Sequence, residues 1–569
     1  MRHAKGPLLT VDVGERTATD TAIDEVFETY VGGRAAATAL AHERIPFDAD
    51  PFGPENRVYL STGPLQQSTM SFTGRTNMTG LSPLTDGLLS ANAGGYLSRN
   101  VVGTGIGVLE LVGESDELLA IHVRDSVDAS RSADGEATSR PRVEFEEIPE
   151  LAGATVPETS EYVVENQDLG PEHCIAIGPA GENLVRFASV MTFDSRAFGR
   201  GGLGAVLGSK NVKCVTFDGN SAPPVEIPDP PETDVHREAA RSDDLMRRQG
   251  TTGSTEFINE NFALPTRYFE EDEFEDAAAI GGDAVAEKKY EKGACSACAY
   301  ACKLPTRDET AGVETEGPEF ETVFSFGSCQ GVGDVVDVMT ANELCDSLGM
   351  DAVSAGVTVA AYLKSEDEFG NADLAQEVTE KIASREGIGD LLAEGVDRCH
   401  EELGVDNYTV KGMEFAAHDG RVLHGQGLSY AVANRGADHM YAGLMNLEYS
   451  GELDPQGTLG KAETLVEAEN AAAFRDTGIV CAFGSDYVTE ERLETLFDAD
   501  YEELLAVGAA TVRLERHFNN RRGFDRSADE LPYEIPDLEA AIDEYYAVRG
   551  WEDGIVPDEQ VDAIAPEAN

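Results

Sequence analysis

The sequence predicts an α+β protein of several domains, β-rich in its first part and helical after it. The first observation is local pattern. Residues 1 to 218 are rich in glycine and β-branched residues and carry short alternating runs such as "RVYLST" and "IGVLELVG", the period of half-buried strands. The second is "GNSAPPVEIPDPPETD" at 219–234, whose five prolines and sparse apolar content read as a linker. The third is the helical periodicity beyond it, in "VVDVMTANELCDSLGMDAVSAGVTVAAYLK" and "LVEAENAAAFRDTG". A chain of 569 residues has room for two to four domains and an extensive core.

Within the β-rich part, "DSVDASRSADGEATSRPR" at 125–142 reads as a polar surface loop. No short-period repeat occurs. Two similar phrases stand far apart in the helical part, "CDSLGMDA" at 345–352 and "RDTGIVCAF" at 475–483.

Composition narrows the function classes. The chain carries 106 Asp and Glu against 43 Lys and Arg, a formal net charge of −63. It shows no basic stripe to replace phosphate counterions, which excludes nucleic acid as a partner. The acids are spread through a chain that is 41% hydrophobic, unlike a disordered acidic tail. Such self-repulsion is tolerable in concentrated salt, where screening shortens the reach of charge to about 3 Å at 1 M. A halophile's cytoplasmic protein is therefore expected. No apolar run reaches the length of a membrane span, and the N-terminus lacks a signal-peptide core. Nine cysteines in such a chain argue for thiols or metal ligands rather than a disulfide framework.

Three of those cysteines, Cys295, Cys298 and Cys302, fall within eight positions in "KGACSACAYACKLP". As packing residues they would share a helix face, but Gly293 and Pro305 keep any helix there short. Structural zinc sites generally show two separated ligand pairs. A cubane iron–sulfur cluster wants four thiolates, often three local and one distant. The remaining cysteines are Cys174, Cys214, Cys329, Cys345, Cys399 and Cys481, and spacing does not choose among them.

The glycine-rich "GRGGLGAVLGSKN" at 199–211 is a weak nucleotide motif. Its lysine comes one residue late for a P-loop, and the next strand follows too soon for a Rossmann crossover helix. Its glycines with Arg200 and Lys210 could surround an anion, or form a tight turn. "LSANAGGYLS" at 89–98 and "IGPAGENLVRFA" at 177–188 are further glycine turns. Glu321 in "EGPEFET" and His439 in "NRGADHMY" sit at Gly or Pro breaks, where chemistry is often displayed.

Taken in order, these phrases resemble the aldehyde ferredoxin oxidoreductase family, the tungsten or molybdenum bis-pyranopterin enzymes. The matching stretches include "YVGGRAAA", "TGRTNMTGLSPLTDGLLSANAGG", "IGPAGENLVRFA", "GRGGLGAVLGSKNVK", "CSACAYAC", "EGPEFETVFSFGS", "DSLGMDAVSAG", "HGQGLSYAVANRGADHM" and "DTGIVCAF", running from residue 30 to about 485. The resemblance implies an N-terminal β-rich domain of two sheets carrying the cofactor (1–218), the linker, and two mostly helical domains (235–414 and 415–569). It implies a [4Fe–4S] cluster on Cys295, Cys298, Cys302 and Cys481. It assigns pterin contacts to Arg75, Asn92, Gly94, Ala180, Gly181, Glu182, Asp346, Met350, Asp351, Asp476 and Val480. Backbone carbonyls of Asn92 and Ala180 would face a magnesium ion bridging the pterin phosphates. Glu321 and His439 are the implied catalytic pair, ferredoxin the electron acceptor, a small aldehyde the substrate, and a homodimer the candidate assembly.

The sequence departs from the family pattern at two places. Ile479 occupies a usual glycine position of the second phrase, and "HDGR" at 418–421 replaces the more usual His-Asp-Pro-Arg. No Glu-x-x-His occurs, so no subunit-bridging mononuclear iron is expected.

The excess of acids yields a direct test. Molar KCl or NaCl should raise the melting temperature relative to low-salt buffer; equal melts in the two would refute the halophilic reading.

Overall fold

The computed structural model describes residues 1–125, 142–193 and 195–562. Most of the loop expected at 125–142 lies outside the described residues. Among the described residues, no helix is long and apolar enough to cross a membrane.

The β-rich part forms two six-stranded sheets. The first is built from β1 (Leu8–Asp12), β2 (Thr17–Thr21), β3 (Val58–Ser61), β4 (Thr76–Leu81), β5 (Leu88–Ala93) and β6 (Val108–Val112), in the order β2-β1-β6-β3-β4-β5. The second contains β7 (Leu119–Arg124), β8 (Val143–Glu147), β9 (Cys174–Ala176), β10 (Val190–Thr192), β11 (Arg196–Phe198) and β12 (Val212–Asp218), in the order β11-β10-β9-β12-β7-β8. One parallel pair occurs in each, β1 with β6 and β7 with β12; the other pairings are antiparallel.

Alternation along the strands decides what each face meets. Leu9, Val11, Leu109 and Leu111 of the first sheet join Ile121, Val123 and Phe217 of the second in one core. Leu8, Tyr59 and Val108 point the other way, into a second core with Ala36, Ala37 and Leu40 of the helix Gly33–Arg44. The inner strands of the first sheet are thus buried on both sides. The alternation in "RVYLST" and "IGVLELVG" suggested half-buried strands, but β3 is buried throughout and β6 nearly so, because helices cover the face turned away from the second sheet.

The helical part confirms the sequence pattern. "VVDVMTANELCDSL" is the helix Val335–Leu348, and "AVSAGVTVAAYLKSE" the helix Ala352–Glu366. Asp351 caps the latter, accepting from the N–H groups of Val353 and Ser354. The second phrase ends the helix Ala462–Gly478. The proline-rich stretch is shorter as a linker than its composition suggests, because a helix already begins at Asp229. Pro230 and Pro231 lie in its first turn, where a missing N–H costs nothing.

The alanine-rich helix Gly33–Arg44 lies between the first sheet and the helices Ala462–Gly478 and Tyr501–Arg521. Gly33 has φ +42°, and a Cβ there would stand 2.4 Å from the Asp476 carbonyl and 2.5 Å from that of Thr477. One residue on, the buried Arg34 guanidinium makes a paired bond to Glu515, 2.8 Å at each oxygen, and reaches Asp476 at 3.3 Å. Breaking a buried ion pair strands its partner, at about 3–5 kcal/mol. Arg34→Met should therefore lower the melting temperature markedly, and Arg34→Met with Glu515→Leu should recover much of the loss. A double variant no more stable than the single one would show that the pair is not what holds these helices together.

Candidate active site

A cavity of about 290 Å³ opens where the two sheets meet the helical part. Its wall includes all four cysteines singled out by the resemblance, Cys295, Cys298, Cys302 and Cys481, from segments nearly 180 residues apart in sequence. Cys481 arrives at the end of the second phrase, with its N–H donated to the Phe72 carbonyl at 2.8 Å. The three local cysteines sit on an irregular loop tied to the first sheet by the Ser296 N–H, which donates to the Gly95 carbonyl. Gly94 leaves room for them, since a Cβ there would lie 3.1 Å from the Cys295 sulfur.

The electrostatics fit a cationic group held by these sulfurs. Burial, reinforced by Cys481 and Cys295, pushes the Cys298 and Cys302 thiols up. Arg75 is buried beside them. Burial alone would lower it, but Cys481, which it hydrogen-bonds, and neighbouring Asp476 and Cys295 hold it above its ordinary value. Thiols raised in this way, as Cys298 and Cys302 are, make poor free nucleophiles. They suit a metal cluster whose charge draws the protons off. All nine cysteines are free thiols.

The first phrase forms the opposite wall. Asp346, Met350 and Asp351 line the cavity, and an antiparallel bridge between Met350 and Ala188 stitches the phrase to the second-sheet domain. Burial, then the nearby Glu316, push the Asp346 carboxyl well up. Asp476 of the second phrase is also buried, and burial raises it against the pull of Arg34 and Arg75. Neither Asp476 nor Val480 is on the cavity wall; they hold Arg34, Arg75 and Cys481 in place from behind. Ile479 adopts the left-handed conformation, φ +60°, that glycine takes at Gly349 in the first phrase, φ +75°. Its side chain is buried over Gly63, which offsets the strain of a β-branched residue there.

Three positions assigned by the resemblance lie elsewhere. Ala180, Gly181 and Glu182 are not on the cavity wall. The Ala180 carbonyl accepts from the Val185 N–H at 2.9 Å, and Glu182 pairs with the buried Lys213. This turn instead buttresses the first phrase: a Cβ on Gly178 would stand 2.2 Å from the Leu348 carbonyl. The wall on that side is formed by Ser195, Arg196, Ala197 and Gly199. Arg196 bridges Glu316 and Glu319 at 2.9 Å each. Arg200 joins Asp351, at 3.2 Å, to the carbonyls of Ala437 and Glu414. Arg200 belongs to the glycine-rich stretch that the sequence reading gave an anion-facing role; Arg196, four residues before it in "RAFGR", was not singled out. Lys210, by contrast, is buried away from the cavity on the Gly113 carbonyl.

Glu321 and His439 come together, but beyond Arg200 rather than on the wall of this cavity. Glu321 Oε1 lies 3.5 Å from His439 Nδ1, and neither atom has a hydrogen-bond partner. Oε2 accepts from the Ala417 N–H at 3.0 Å. Burial raises the Glu321 carboxyl, opposed by His418, and lowers His439 to about 4. Arg435 and Asp438 pair beneath, and Asp438 accepts from the N–H groups of Met440 and Tyr441, fixing the loop that presents His439. The sequence reading missed a third member, His418. The ligand-capable atoms of Glu321, His418 and His439 all lie within 4.8 Å of one another.

Comparison with known proteins places the chain in a family. Residues 8–219 match the N-terminal domain of aldehyde ferredoxin oxidoreductase, and residues 232–564 match its domains 2 and 3. The tungsten-containing aldehyde ferredoxin oxidoreductases of Pyrococcus furiosus and Thermococcus kodakarensis are 30% and 31% identical, each alignment covering 95% of both chains. A solved chain of the BamBC active-site complex of benzoyl coenzyme A reductase has the same fold, with a TM-score of 0.80 at 21% identity over 99% of this chain and 97% of that one. The chain belongs to the aldehyde ferredoxin oxidoreductase family.

Proposed function

We propose that this protein oxidises a small aldehyde to the carboxylate and passes the electrons singly to ferredoxin. The observation that carries the reading is the Glu321–His439 pair, whose facing Oε1 and Nδ1 atoms lie 3.5 Å apart without hydrogen-bond partners, beyond a cavity walled by four cysteines and the first phrase. A bound tungsten (or molybdenum) bis-pyranopterin, with a [4Fe–4S] cluster and a magnesium ion on the pterin phosphates, would supply the two-electron oxidation and its division into single electrons. Cys295, Cys298, Cys302 and Cys481 would hold the cluster. Arg75, Asn92, Gly94, Arg196 and Asp346 would face the pterins.

The chain's own residues have defined tasks. Glu321 Oε1, raised by burial, takes a proton from the attacking water or hydrated aldehyde. His439, kept neutral because burial lowers it, donates a hydrogen bond to the carbonyl oxygen as negative charge develops there. Arg200 and Asp351 tie this pair to the cavity wall.

Two variants test the reading. Glu321→Gln should lower kcat by about 10²–10⁴-fold with tungsten, pterin and cluster content intact. The assay is dye-linked aldehyde oxidation, with metals measured on the same anaerobic samples. A fully loaded variant turning over at the wild-type rate would remove Glu321 as the base. For the cluster, Cys481→Ser should abolish its electron-paramagnetic signal, whereas Cys399→Ser should keep it. Equal loss in both, or in neither, would mean a different fourth ligand.

A further inference from the structure

We propose that His418 and Tyr449 form a proton relay that empties Glu321 toward the surface; the proposal rests on the aldehyde-oxidising reading above. The chemistry requires such an exit. Oxidation of an aldehyde by water gives a carboxylate, three protons and two electrons. The electrons leave through the bound cofactors, whereas a proton taken by a buried carboxylate stays until something removes it. Glu321 must lose it to water or to a neighbouring group before the next turnover.

His418 is placed to take it. A ring nitrogen of His418 lies within 4.8 Å of both Glu321 and His439, and its Nδ1 is 3.2 Å from the Tyr449 hydroxyl. Tyr449 is only partly buried, and its ring meets edge-on that of Phe257, which is 47% exposed. Tyr449 thereby links the partly buried Glu321 and the buried His418 to the surface at Phe257. His418, at the centre, has a left-handed backbone with φ +63°, a conformation histidine adopts more readily than most residues. The Tyr430 hydroxyl holds it there, donating to the carbonyl of Ala417 at 2.9 Å and of His418 at 3.3 Å.

The step balances without an added reagent. The Glu321 carboxylic acid gives its proton to one ring nitrogen. The other ring nitrogen gives its proton to the Tyr449 oxygen, and the Tyr449 hydroxyl proton passes to solvent. His418 ends neutral with its ring proton moved to the other nitrogen, a reverse tautomer shift resets it before the next turnover, Tyr449 ends neutral, and no redox change occurs. Burial, with His439 adding to it, lowers His418 to about 3, so it carries the proton only in passing. Glu448 and Asp419 are the other ionisable groups near Tyr449.

The test uses the fully metallated protein in high salt. His418→Ala should lower kcat by about 10–10²-fold, less than loss of the base itself. Added imidazole should restore much of it, and Tyr449→Phe should lower kcat and enlarge its solvent deuterium isotope effect. Should His418→Ala fail to fold, His418→Asn tolerates the left-handed backbone and serves in its place. Unchanged kcat in these variants, or a loss that imidazole leaves in place while Tyr449→Phe matches wild type, would overturn the relay. So would a stoichiometric divalent cation that the wild type holds and His418→Ala lacks. In those cases Glu321→Gln still reports on the aldehyde reading. A wild type that oxidises no aldehyde would fail that reading, and the relay with it.

Discussion

The buried contact of Arg34 with Glu515 and Asp476 is the constraint on which the rest of the molecule depends. A guanidinium that is 1% exposed survives only if its charge is matched and its donors are filled. Matching it fixes the helix Gly33–Arg44 against the helices Ala462–Gly478 and Tyr501–Arg521. Tyr441 lies under the same guanidinium, 3.6 Å away, and Arg435 stands 4.4 Å from the same ring. One ion pair thereby sets the height of the second phrase, hence of Cys481, and the position of the loop bearing His439.

The cavity is built by close backbone approach as much as by side chains. Gly33 lets the N-terminal helix touch the Asp476 carbonyl, Gly94 leaves space beside the Cys295 sulfur, and Gly178 lets a turn press on Leu348. At Gly33 and Gly178 a methyl group would collide with backbone, and at Gly94 it would crowd the sulfur. The second phrase solves the same turn differently. Its Ile479 accepts a left-handed backbone and is compensated by burial.

Charge is arranged in two regimes. Across the chain the acids outnumber the bases by 63. Around the cavity the few arginines are concentrated instead: Arg75 on the cysteines, Arg196 between Glu316 and Glu319, and Arg200 between Asp351 and the His439 loop. In a low-dielectric interior these pairings are strong and geometrically exacting. They can therefore position a carboxylate and a histidine whose facing Oε1 and Nδ1 atoms have no hydrogen-bond partner.

What the sequence alone determined were properties carried by local pattern: the strand-rich start, the helices at 335–348, 352–366 and 462–478, the three clustered cysteines, and the Gly and Pro breaks around Glu321 and His439. Spacing did not select Cys481 from six candidates. The resemblance did, and the fold then put it on the same wall as the other three. Only the tertiary structure decided which glycine turn supports and which one lines the cavity. "GPAGE" and "RAFGR" look alike as polar turns, but one is capped by Val185 and Lys213 and the other faces inward. It also brought His418 to Glu321 across 97 residues of sequence. The reason is physical: a side chain's partner across a core depends on helix packing and chain crossings, which leave no periodic trace in the residues themselves.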